Sequence, residues 1–140
     1  MWYIYAILAA VFAALVTIFA KSGLSSLDPT LATIIRSVIM ASFLVMTGFV
    51  LQKYTGFKLS ELNQREWIYI ILAGIAGALS WLFYFYALQT GPASTVAAID
   101  RMSVILIVVL SFMLFGETFN ARTILGTILL FAGIILISFA

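Results

Sequence analysis

The chain has 140 residues, of which 65% are hydrophobic and only 9% charged, with a formal net charge of +2. Soluble domains carry roughly 25% charged residues, so a water-facing surface cannot be built from this composition and the chain reads as an integral membrane protein. With no Cys and no His there is no disulfide, thiolate nucleophile or Cys/His metal site. The singly scattered basic residues form no nucleic-acid patch, and no cofactor or metal is expected.

Five apolar stretches follow one another, each close to the roughly 20 residues that cross a hydrocarbon core. The first covers about residues 2–21. It has no positive segment ahead of Ile4 and a longer apolar run than a cleaved leader, so it reads as a retained span anchored by Trp2, Tyr3 and Tyr5. Gly23 is placed to stop it in a left-handed conformation. Asp28-Pro29 then reads as an N-cap followed by proline at the first helical position, opening a second span over about 30–52. Gly56 is placed to end that span.

A polar loop with Lys53, Lys58, Glu61, Arg65 and Glu66 comes next. It closes on Asn63-Gln64-Arg65-Glu66, which has the spacing of a capping box. The third span covers about 67–88. Gly91-Pro92 turns the chain into a fourth over 93–115, with Pro92 as first helical residue and Gly116 as stop. Asn120 caps a fifth over 121–139. Backbone amides in lipid must bond internally, and the alternation a barrel needs is missing. The fold class expected is therefore all-α, a polytopic five-span membrane protein forming one transmembrane domain over 1–140.

An odd number of spans puts the termini on opposite faces. Lys53, Lys58, Arg65 and Arg122 gather on the face of the N-terminus, against Lys21 on the other, with Arg36 and Arg101 inside that second face. The positive-inside rule then predicts a cytoplasmic N-terminus and an external C-terminus in a bacterial or archaeal plasma membrane.

Arg36, Asp100 and Arg101 lie inside the spans, roughly 8 to 12 Å along their helices at 1.5 Å per residue. Trp81 and Tyr84 fall at similar depth and share a helix face. A charge at the bilayer centre costs at least about 2.5 to 3.5 kcal/mol, so such residues usually face a bundle interior or cavity. Asp100, Arg36, Arg101, Trp81 and Tyr84 are therefore the candidate substrate or coupling residues. The competing reading has both arginines snorkelling to the interface and Asp100 pairing with one of them. Gly74 with Ala78, and Gly126 with Gly133, suit close helix packing, and the second pair could equally be a self-association seam. No residue is nominated as catalytic. Outside the buried trio no nucleophile has a base at plausible spacing, so an enzyme is not expected.

The run Gly91-Pro92-Ala93-Ser94-Thr95-Val96-Ala97-Ala98-Ile99-Asp100, then Phe115-Gly116-Glu117, then Gly126 and Gly133 resembles the EamA-type repeat of the drug/metabolite transporter superfamily. The five-span pattern extends that resemblance over essentially the whole chain, as a single repeat comparable to half-size members. The resemblance implies transport of small metabolites by alternating access between two inverted units. Larger members commonly carry a proline just past the position of Asp100. Here Arg101-Met102-Ser103 stands instead, so a mechanism using a kink there is not carried over. Small multidrug-resistance proteins of the superfamily use a glutamate in the first helix, which this chain lacks.

The expected function is a transporter subunit moving a small polar or charged metabolite. Its partners would be the lipid bilayer and a second half, as a homodimer (possibly antiparallel) or a heterodimer with a paralogous half. The excess of arginine over aspartate favours a substrate with an anionic or zwitterionic group. The alternative is a non-transporting accessory or lipid-handling subunit docked on a larger partner through the glycine seam.

Overall fold

The fold, a computed structural model, describes residues 2–24, 27–55 and 62–139. It is all-helical: α1 (Trp2–Gly23), α2 (Pro29–Val50), α3 (Gln64–Thr90), α4 (Ala93–Asp100), α5 (Met102–Phe115) and α6 (Ala121–Ser138). With α4 and α5 counted as one span, five segments among the described residues are long and apolar enough to cross a membrane. Most large apolar side chains on them are exposed; Phe12, Val38, Phe83, Leu106 and Leu129 are examples. In water such a surface would be untenable. Against acyl chains, or another helix, it costs nothing.

Local chemistry explains the helix ends. Asp28 caps α2, its Oδ1 accepting from the Thr30 and Leu31 amides at 2.9 and 3.1 Å, with Pro29 first in the helix. At α3 the Glu66 carboxylate accepts from the Asn63 amide at 2.8 Å, the return half of a capping box. Asn120 caps α6 through the Thr123 amide at 2.8 Å. Gly116 ends α5 at φ +65°.

Three expected ends differ. Gly23 is the last residue of α1 and has no positive φ; the chain continues helically through it. Pro92 is the N-cap of α4 rather than its first residue, because its extended ψ of 135° leaves only its carbonyl to start the ladder, accepting from Val96 at 3.0 Å. The second span stops at Val50, two residues before the expected end and well ahead of Gly56. Gln52 takes the left-handed position at φ +52°. Its amide bonds Phe49 O and that of Lys53 bonds Gly48 O, both at 3.0 Å. That pair of bonds is a Schellman motif built without glycine. Tyr54 then folds back so that its phenol donates to Val45 O at 3.3 Å and its ring packs on Phe49 and over Gly48. Gly56, Lys58 and Glu61 lie outside the described residues.

The chain divides into two compact units, Ser22–Gln89 and Met1–Lys21 with Thr90–Ala140. In the first, the packed region lies where the start of α2 meets the end of α3: Leu24, Pro29, Thr33, Phe85 and Leu88 are buried. Thr30 Oγ1 and Tyr86 Oη share a hydrogen bond of 2.7 Å between the two helices. In the second, α6 packs on α4 and α5. Phe119 stacks on Phe112 at 5.0 Å to hold the Gly116–Asn120 link against α5. Lys21 Nζ donates to the Gly91 carbonyl at 2.9 Å, securing the turn ahead of α4.

Candidate functional site

The candidate residues fall into two groups, one in each unit. The first is built on Arg36, two turns into α2. Its guanidinium carbon lies 3.7 Å from the centroid of the Trp81 ring and 5.8 Å from that of Phe85. Trp81 and Phe85 stand at 89° to each other, and Tyr84 packs edge-on against Trp81 with centroids 5.6 Å apart. The guanidinium therefore sits in a corner of two perpendicular rings. Positions 81, 84 and 85 fall together because i+3 and i+4 neighbours share one face of α3.

Among the described residues of this unit, no carboxylate lies within 4 Å of Arg36. Its Nη1 is buried without a hydrogen-bond partner. A cation–π contact is worth from about 0.5 kcal/mol when exposed to about 2 when desolvated, below the roughly 2.5 to 3.5 kcal/mol that a charge costs at the bilayer centre. The stack thus offsets part of the cost of the charge and supplies no acceptor for the donors.

The same helix pair carries an apolar groove of about 340 Å³, lined by Thr30, Thr33, Ile34, Ser37, Val38, Ala78, Leu79 and Leu82. Arg36 is two residues from both Ile34 and Val38, hence about 160° round the helix from each. The groove and the guanidinium belong to different sides of α2. The Thr33 and Ser37 hydroxyls donate to carbonyls four residues back, at 2.7 and 2.8 Å, and are spent within the helix.

The second group is a break in the fourth span. The Arg101 amide donates to Ala98 O at 3.1 Å and the Val104 amide to Arg101 O at 3.0 Å. Both are three-residue bonds of the tighter 3₁₀ kind. The carbonyl of Ala97 thereby loses the donor a continuous helix would bring from Arg101. Asp100 ends α4, and its carboxylate lies 3.9 Å from the Arg101 guanidinium, with the side chains 37% and 51% exposed respectively. The expected pairing of Asp100 with an arginine is thus realised with its chain neighbour, loosely. The helix is thus interrupted at Arg101 without a proline.

Built Cβ atoms on Gly74, Gly126 and Gly133 would meet open space within their own units. Ala78 lines the groove. Sequence reasoning missed Phe85, although its position four residues after Trp81 was the available signal.

These features define a class: a polytopic membrane protein with a broken span and ionised side chains held inside its helices. The chain matches the EamA-like transporter family over residues 1–139. It is 35% identical over 137 residues to a Sinorhizobium protein named "Uncharacterized transporter in cobO 3'region", a match covering 98% of this chain and 96% of that relative. No solved structure matches it. The chain belongs to the EamA-like transporter family, and it is a membrane transporter corresponding to a single repeat.

Proposed function

We propose that the protein carries a small polar or charged metabolite across the membrane by alternating access, as a dimer whose second half runs inverted. The observation that carries this reading is the discontinuity at Asp100-Arg101. Membrane helices seldom leave a carbonyl unmatched unless it lines a cavity. In transporters, broken helices supply backbone and side-chain ligands near a pathway. Asp100 would serve substrate or coupling-ion binding there, with Arg101 as its movable counterion.

An inverted partner is supported by the odd span count, and by the match to a relative of similar length. Five helices enclose little space; ten related by a two-fold axis in the membrane plane enclose a pathway. Gly126 and Gly133 on α6 would then pack across the dimer, and Gly74 with Ala78 would allow close approach on α3. The N-terminus would face the cytoplasm in one copy and the exterior in the other.

Reconstitution into liposomes with electrical recording, across amines, amino acids and organic anions, tests the activity. Asp100→Asn is expected to abolish coupled transport; an unchanged response would remove Asp100 from the mechanism. Reporters fused to the C-terminus test the assembly. Exclusively one orientation, with no paralogous partner, would overturn the antiparallel homodimer.

A further inference from the structure

The corner of Trp81 and Phe85 holds a cation whose charge is offset in part and whose buried Nη1 is left without an acceptor. Arginine presents five donors in a flat fork that matches two coplanar oxygens. Stacking on Trp81 at 3.7 Å fixes the plane of that fork without using any donor. Among the described residues Nη1 has no partner, and no carboxylate of the unit reaches the group. An unsatisfied buried donor costs about 1 to 3 kcal/mol, more when charged. The arrangement therefore lacks an acceptor at Nη1; that atom is itself closed to solvent, and because Arg36 as a whole is half-buried a ligand would meet the part of the side chain that stays exposed.

We propose that Arg36, held by Trp81 and Phe85, is the receptor for a carboxylate on the transported molecule. This rests on the carrier reading above and deepens it by assigning the substrate class. Two coplanar oxygens meet the fork in the bidentate geometry that a lysine or an amide cannot reproduce. Tyr84, edge-on to Trp81, positions that ring and through it the guanidinium. The same oxyanion chemistry could come from a phospholipid headgroup, and the two sources separate experimentally.

Trp81 under the guanidinium is a built-in reporter. In a Trp2→Phe/Trp67→Phe protein it is the sole indole, and neither replaced residue belongs to the proposed receptor. The protein is held in maltoside micelles, which contain no phosphate, and titrated with propionate, benzoate and alanine. Propylamine and benzylamine are the matched amines, and phosphatidylglycerol is the lipid arm. Carboxylates are expected to change Trp81 emission saturably, the amines not at all. Arg36→Gln should weaken binding by about tenfold or more, the equivalent of about 1.4 kcal/mol. Arg36→Lys keeps the charge and guards against a folding defect; it should be weakened nearly as much, since it lacks the fork. Absence of a saturable carboxylate response overturns the proposal. So does a response that survives Arg36→Gln, or one seen with phosphatidylglycerol alone. Liposome transport of an uncharged or cationic substrate, unaffected by Arg36→Gln, would sink this assignment while leaving the carrier reading standing. Carboxylate binding without transport of any substrate would overturn the carrier reading, and with it the claim that the bound carboxylate belongs to a transported molecule.

Discussion

The Arg36–Trp81 stack can be weighed directly by a double-mutant cycle of Arg36→Met, Trp81→Leu and the double variant. Unfolding of a helical membrane protein within lipid or mixed micelles separates helices that remain inserted. The cost of placing Arg36 in the membrane is then present in both states and cancels. What the cycle isolates is the cation–π contact at 3.7 Å to Trp81; the longer contact to Phe85 at 5.8 Å is common to both arms and cancels. Such contacts run from about 0.5 kcal/mol when exposed to about 2 when desolvated. Arg36 is half-buried, so a coupling of about 1 kcal/mol is expected. Trp81→Leu alone should cost more, because it also removes the edge contacts with Tyr84 and Phe85. The cycle subtracts those contacts, since they are lost equally in both arms. Reversible unfolding in mixed micelles, followed by helix content, supplies the four free energies. A coupling below about 0.3 kcal/mol, the level at which independent sites add, would refute the stack and with it the fixed plane of the guanidinium.

Other outcomes follow from the helix ends and the α2–α3 contact. Gln52→Gly should raise stability by about 1 kcal/mol, because a non-glycine residue at φ +52° bears the left-handed penalty; the same unfolding assay reads it, and a loss of stability would contradict the motif. Thr30→Val and Tyr86→Phe should each cost about 0.6 kcal/mol, the mean for hydrogen bonds between membrane helices, and the double variant no more than either alone. Gly116→Ala should cost about 1 kcal/mol from its backbone alone, since an added Cβ meets open space there.

Much of the fold was legible because lipid leaves few choices. Apolar runs of the right length had to be helices, and short polar side chains marked three starts at Asp28, Asn63 and Asn120. Stops were harder. A helix can end wherever one residue accepts a left-handed backbone, and Gln52 does so although glycine is the usual signal. Gly23, which carries that signal, stays helical. Composition points to residues able to turn; only the bonds made afterwards select the one that does.

The candidate residues were nominated for a related reason. Ionised residues inside apolar helices stand out, so Arg36, Asp100 and Arg101 could be nominated from sequence, and i+3 spacing added Tyr84 to Trp81. What spacing cannot convey is how a charge is compensated. Arg36 was a candidate for a counterion, for water at the interface or for a ligand. The structure assigns it two aromatic rings, a solution that offsets part of the cost of the charge and leaves Nη1 without an acceptor. Asp100 was expected within one span over 93–115. A helix also tightens when an amide bonds three residues back instead of four, and that change costs no special residue. At Arg101 it turns an ordinary-looking Asp-Arg-Met-Ser stretch into a gap in the backbone ladder, with a carboxylate and a guanidinium at its edge. The two groups thus differ in kind: Arg36 is an unfilled donor on a rigid support, whereas Asp100 and Arg101 form a weak pair at a joint. Under the carrier reading proposed above, the first would serve recognition and the second movement.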